Sequence, residues 1–147
     1  MENKILGNFN IYVNDGNYGN IYPEENEFLD KGVPFISASD FSEKMFDFIG
    51  CKHISKELHD DILKKGHVQK NDIIIVVRGN GIGKVGMLKD EIEDCNINAQ
   101  LAFIRVLNDD IDPDYLYYLL KSEYYFQVIR RYGSGSAQPQ LPLNRLM

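Results

Sequence analysis

The stretch Asp72–Leu88, DIIIVVRGNGIGKVGML, decides how the chain is read. An apolar run, Asp72–Val77, leads into Gly81, Gly83 and Gly86, which satisfy Gly-x-Gly-x-x-Gly. After a strand, that spacing fits either a nucleotide cradle or a β-hairpin. A cradle needs a helix to open at the glycines, so that its N-terminal N–H groups meet a pyrophosphate. Here Lys84-Val85-Gly86-Met87-Leu88-Lys89 continues as a short second strand and then an acidic turn. A Walker A loop fits no better, because Val85 follows the lysine where Ser or Thr is required and Arg78 stands where the first glycine belongs. The hairpin is the simpler reading, with Gly79-Asn80-Gly81 supplying a positive-φ turn and Gly83 allowing close backbone approach. Asp72–Val77, dominated by β-branched side chains, is then a strand buried on both faces.

The neighbouring segments extend this scaffold. Asn10–Pro23 packs Asn, Asp and Gly around tyrosines and predicts a turn-rich loop, with positive φ at one or more of Gly16, Asn17 and Gly19. Gly32–Phe41 predicts a short strand that Pro34 can begin, and Gln100–Val106 another. Ser55 precedes a predicted helix over Lys56–Lys65, with Leu58, Ile62 and Leu63 on one face and Gly66 as its C-terminal cap. Asp112, Pro113 and Asp114 are a cap, a first-turn proline and a dipole-matched acid, so a helix starts there. Leu116, Leu119 and Leu120 form its apolar stripe, and the helical region runs, with a break near Ser122, to about Tyr132 and Gly133. Short strands and a few helices in no regular βαβ order give an α+β domain with a twisted, mainly antiparallel sheet.

Composition narrows the function. The chain has 147 residues, 44% hydrophobic, enough for one core, and residues 1–147 are read as a single domain. No apolar run approaches the ~20 residues of a membrane span and no signal-peptide pattern opens the chain, so a cytoplasmic protein is expected. Cys51 and Cys95 have no metal-ligand spacing and are read as buried thiols. His53, His59 and His67 likewise show no paired ligand spacing and are read as surface or structural residues. No metal and no cofactor is expected. The formal net charge of −6 opposes binding to nucleic acid by charge alone. Part of it is local, in Glu24, Glu25, Glu27 and Asp30, then Asp90, Glu91, Glu93 and Asp94, then Asp109, Asp110, Asp112 and Asp114, which read as solvated loop clusters. The only Asp-Pro, Asp112-Pro113, is followed by Asp114, so the Asp-Pro-Pro-aromatic loop of an amino-methyltransferase is absent. No nuclease-type grouping of acids and lysine falls on a credible strand.

Taken in order, DGNYG, GVPFISASDF, KNDIIIVVRGNGIGKVGML, NINAQLAFIRV, DPDYLYYLLKS and GSGSAQPQL resemble the target recognition domain of type I restriction-modification specificity subunits and of related fused type II enzymes. The resemblance covers about Ile11 to Leu143. It implies a non-catalytic domain that reads one half of a split target in double-stranded DNA for methyltransferase (modification) subunits, with which a restriction subunit can assemble. In that pattern Lys70-Asn71-Asp72-Ile73-Ile74 and Gly81-Ile82-Gly83-Lys84 are a signature of the sheet, and Asn71 replaces a usual glycine at a turn. Specificity subunits carry two such domains separated by long helices. Residues 133–147 read as a polar loop leading toward the place where such a helical spacer would begin. An excised domain, a half-subunit that pairs as a homodimer and a protein reusing the fold alone all fit.

A DNA-reading domain needs amides and guanidinium groups for base edges and cations or free N–H groups for phosphates. The base-contact candidates are Asn17, Tyr18, Arg78, Asn80 and Gln138; the phosphate candidates are Lys84, Arg130, Arg131, Ser134 and Ser136. Each has a plainer reading: Asn17 and Asn80 as turn formers, Tyr18 as core, Lys84 as an edge-strand charge, Arg130 and Arg131 as complements to a helix dipole. Two other classes stay open at this point. One is a protein-interaction or decoy module that docks modification subunits without reading DNA, against which a cluster of Arg78, Lys84, Arg130 and Arg131 would count. The other is a nucleotide-dependent enzyme, which a helix starting at Lys84 would rescue.

Overall fold

The computed structural model describes residues 9–17, 19, 22–41, 50–89, 94–109 and 111–133. The strands are β1 (Ile11–Asp15), β2 (Val33–Ile36), β3 (Lys52–Ile54), β4 (His67–Gln69), β5 (Ile73–Val76), β6 (Val85–Met87), β7 (Asp94–Ile97) and β8 (Leu101–Val106). Two helices follow, α1 (Pro113–Lys121) and α2 (Glu123–Gly133). The strands form two four-stranded sheets, β1-β8-β5-β6 and β3-β2-β7-β4. The first is antiparallel throughout, and the second contains one parallel pair, β2 with β7.

The α+β class holds, but one sheet becomes two. The reason lies in β5, whose four residues are fully buried. Ile73 and Ile75 pack with Leu116, Leu120 and Ile129 of the helices. Ile74 and Val76 face the other way and pack with Ile36, Val68 and Ile97 of the second sheet. Side chains alternate across a strand, so an unbroken apolar run needs a cover on each face. The helices supply one cover and the second sheet the other. Each fully buried aliphatic side chain contributes roughly 1.5–3 kcal/mol relative to exposure, which outweighs the low intrinsic order of three-residue strands such as β3 and β4.

The opening hairpin is present. Ile73, Ile74 and Ile75 pair with Met87, Gly86 and Val85. The turn between them uses positive φ at Gly79 (91°) and Gly83 (95°). A Cβ at Gly83 would lie 3.0 Å from Phe126 Cδ2, so this glycine lets α2 seat on the turn. The chain enters β6 at Val85 where a dinucleotide fold would start a helix, and the nucleotide reading fails there. Asn71, in place of the glycine of the resembled pattern, takes φ 71°. Gly19 takes φ 75° in the turn-rich loop.

The helix expected over Lys56–Lys65 is shorter and wider. Ser55 Oγ accepts from Leu58 N–H (3.0 Å), and the turn closes with Leu63 N–H donating to Leu58 C=O (3.0 Å) across five residues. Leu63 then leaves helical geometry (ψ 91°). Leu58 and Leu63 are buried with Phe35 and Ile54, while Ile62 is 50% exposed. Tertiary packing overrides the 3.6-residue pattern here: Gly66 (φ 76°) presses against β7, where a Cβ would meet Asn96 Oδ1 and Ile97 C=O at 2.9 Å. By contrast α1 begins as expected, with Asp112 Oδ1 accepting from Asp114 N–H (2.8 Å), and the helix breaks at Ser122 (ψ 150°).

Candidate nucleic-acid interface

The antiparallel register brings the ends of β1 and β5 together with the start of β8: Asp15 lies opposite Ala102, and Val76 opposite Leu101. Arg78 follows directly. Its N–H and that of Val77 both donate to Gln100 C=O (3.3 and 2.8 Å), which ties the chain to the β7–β8 turn. The guanidinium donates from Nη1 to Ala99 C=O, and Nη2 lies 3.6 Å from Asp15 Oδ2. Asp15 is also the partner of Lys65, so two cations share one carboxylate. A third of the Arg78 side chain remains exposed at this end of the sheet.

The turn that follows gathers more cations. Asn80 is exposed. Arg130 of α2 donates through Nη1 to Asn80 C=O (3.3 Å) and Ile82 C=O (3.4 Å), with its guanidinium 5.5 Å from the Phe126 ring. The Lys84 stem lies alongside Gly81. Among the described residues neither Lys84 nor Arg130 has a carboxylate partner. Arg131 is exposed at the next position of α2. Thus Arg78, Asn80, Lys84 and Arg130 meet around one turn, although 50 positions of sequence separate Asn80 from Arg130.

Asn17 sits elsewhere and is spent on the fold. It is 1% exposed. Its Nδ2 donates to Lys65 C=O (2.8 Å) and Asn96 Oδ1 (2.6 Å), and its backbone bonds Ile97 C=O and Ala99 N–H. Its Oδ1 is buried without a hydrogen-bond partner among the described residues. A base contact by Asn17 would require breaking this junction, so its role here is to join β1 to the second sheet. The junction continues through Asn96 Nδ2, which donates to His59 Nδ1 (3.0 Å); His59 Nε2 then faces Asp94 (3.3 Å). His59 stacks on His67 at 4.0 Å, and burial, with His67 beside it, lowers its pKa below the ordinary 6.5. Tyr18, Ser134, Ser136 and Gln138 lie outside the described residues. Sequence reasoning missed Lys65 and Gln100, read only as a helix end and a strand start; long-range pairing alone brings them to Arg78.

The opposite end of the first sheet has a different character. A groove of about 550 Å³ is lined by Asp72, Arg105, Asn108, Asp109 and Asp112 among others. Arg105 is locked there by Asp72 (Nε–Oδ1 3.0 Å, Nη2–Oδ2 2.7 Å) and His67 C=O (3.1 Å), and the Asp72 hydrogen bonds raise its pKa further. Among the described residues no group of three or more His, Cys, Asp or Glu could hold a metal ion, and no helix is long and apolar enough to cross a membrane.

A cation-bearing turn thus stands at one end of a sheet whose two faces are closed by packing, on an α+β scaffold. The chain belongs to the type I restriction modification DNA specificity domain family, whose model matches residues 11–147. No curated protein matches it by sequence comparison. Among solved structures, a chain of a type I R-M system described for its complex assembly and conformational transition superposes with TM-score 0.66 at 18% identity, covering 97% of this chain and 31% of that one. The type I restriction-modification S subunit from M. genitalium gives 0.60 at 15% identity, covering 92% and 30%. The HsdS subunit from Thermoanaerobacter tengcongensis gives 0.57 at 18%, covering 95% and 32%. The chain therefore spans about a third of the length of each.

Proposed function

We propose that this chain reads one half of a split double-stranded DNA target and orients methyltransferase subunits on it, working in the cytoplasm and performing no catalysis itself. Arg78 and Asn80 contact base edges, while Lys84, Arg130 and Arg131 neutralise phosphates. Tyr18 and Gln138 join the base contacts, and Ser134 and Ser136 the phosphate contacts. The observation that carries the reading is the gathering of Arg78, Lys84 and Arg130 around one turn where, among the described residues, Asp15, shared with Lys65, is the carboxylate counter-charge. A decoy module that docks modification subunits without DNA has no use for such a cluster. The −6 charge keeps the isolated chain's affinity low, at ~µM or poorer, so the modification subunits supply much of the binding energy.

Fluorescence anisotropy against randomised duplexes, at low and moderate salt and with or without modification subunits, tests this. Salt-sensitive binding that gains sequence preference with the partner is expected, and Arg78→Ala should cost roughly 5- to 100-fold on the preferred sequence. Partner binding with no DNA affinity would overturn the reading in favour of the docking module.

A further inference from the structure

Beside Arg78 lies an amide whose orientation the fold dictates. Gln100 is exposed at the β7–β8 turn, and its carbonyl holds the Arg78 and Val77 N–H groups. Its own N–H donates to Asn98 Oδ1 (3.1 Å), which identifies that atom as oxygen. Asn98 Nδ2 is then a donor, and it reaches Gln100 Oε1 (3.2 Å). A second donor reaches the same oxygen: the N–H of Ala38 (3.4 Å), first residue of a short 3₁₀ turn, Ala38–Asp40, where an N–H has no partner within the turn. A backbone N–H cannot accept, so two independent donors fix which end of the Gln100 amide is oxygen. The Nε2 end has no hydrogen-bond partner among the described residues.

We infer that Gln100 is a specificity-determining residue that donates from Nε2 to a base edge offering only acceptors at the point of contact. This rests on the DNA-reading function proposed above and deepens it. An unconstrained glutamine reads adenine by donating to N7 and accepting from N6. Gln100 cannot do so while both lone pairs of Oε1 are engaged. Guanine O6 and N7, or thymine O4, present acceptors in the major groove and fit the free donor. Arg78, adjacent and donor-only, has the same preference, so the two side chains together select an acceptor-rich edge.

The test is selection from a randomised duplex pool by the chain with its modification subunits, comparing the parent with Gln100→Glu and Gln100→Ala. Glutamate keeps an oxygen for Ala38 N–H and Asn98 Nδ2 and replaces the donor with an acceptor, so the turn persists while the reading inverts. The expected result is a loss of roughly 5- to 100-fold in preference for G or T at one position, shifting toward C or A in the glutamate variant, with the other positions unchanged. Unchanged preference in both variants, with parental circular dichroism and melting, would overturn the inference and leave the DNA-reading function standing. A uniform drop at all positions would equally overturn it, assigning Gln100 to the scaffold. A parent that binds without any sequence preference would remove both proposals together.

Discussion

Removing Asp72, at the end of the first sheet opposite Arg78, should destabilise the fold by stranding Arg105. Asp72 is 2% exposed and accepts from Arg105 twice and from Gln69 N–H (2.7 Å), while Arg105 also reaches His67 C=O on β4. This bridge ties the two sheets together. Removing one partner of a buried pair costs about 3–5 kcal/mol, mostly because the other charge is left stranded. Arg105 keeps 26% of its side chain in solvent, so water recovers part of that loss. We expect Asp72→Ala to cost about 3 kcal/mol, a fall in Tm of about 6–12 °C for a chain of this size. Urea unfolding, with a shifted midpoint and unchanged slope, would measure it. Adding Arg105→Met should restore at least about 1 kcal/mol, because no unpaired charge then remains. The Asp72→Ala protein that stays folded should keep the DNA preference proposed above, since Arg78 stands at the far end of β5. A cost below about 0.5 kcal/mol, or a double variant as unstable as the sum of its parts, would refute the reasoning.

Gly83→Ala combines a left-handed backbone (φ 95°) with a 3.0 Å approach to Phe126, and should destabilise by about 1–3 kcal/mol in thermal unfolding while moving the turn that carries Lys84. His59 should make stability depend on pH. Burial and His67 depress its pKa, outweighing Asp94 and Asp60, which raise it. The unfolded chain therefore takes up the proton first: the stabilising contribution is complete above pH 6.5 and declines as pH falls below it. Urea midpoints at pH 7.5 and 5 should differ more for the parent than for His59→Gln, and equal differences would sink the assignment.

What the sequence disclosed was what is local. The β5–β6 hairpin, the Asp112 cap and the Ser122 break each depend on residues within one turn of themselves, and each is present. The second sheet was hidden because β3 and β4 span three residues each, too short for any periodicity, and because its parallel pair joins Phe35 to Asn96. The helix over Lys56–Lys65 was misread since the apolar spacing at Leu58, Ile62 and Leu63 is genuine, and only the approach of Gly66 to β7 dictates that the chain must leave the helix early. At the site, Arg78, Asn80 and Lys84 were legible as neighbours of one turn. Asn17 looked like a loop amide; its burial follows from Asn96, which lies 79 positions away. Gln100 carried no signal, since a polar residue at the start of a strand is ordinary.

The same geometry reconciles an acidic chain with the polyanionic target proposed above. Asp72 and Arg78 stand at opposite ends of one extended segment, roughly 20 Å apart at ~3.3 Å per residue. The screening length at physiological ionic strength is about 8 Å, so acids at the groove end, such as Asp109 and Asp112, are largely screened from anything bound at the Arg78 turn. Several acids are also neutralised where they stand: Glu25 by Lys52, Asp60 by Lys56, Asp114 by Lys89. Among the described residues, the potential a phosphate would meet is therefore set by Arg78, Lys84 and Arg130 against the carboxylate of Asp15, which Lys65 already holds. Net charge measures the whole chain, whereas binding samples the field within a screening length of the site. At about 0.01 M salt that length grows to about 30 Å and the distant acids come into play, so the turn's local excess of positive charge is best isolated near physiological salt.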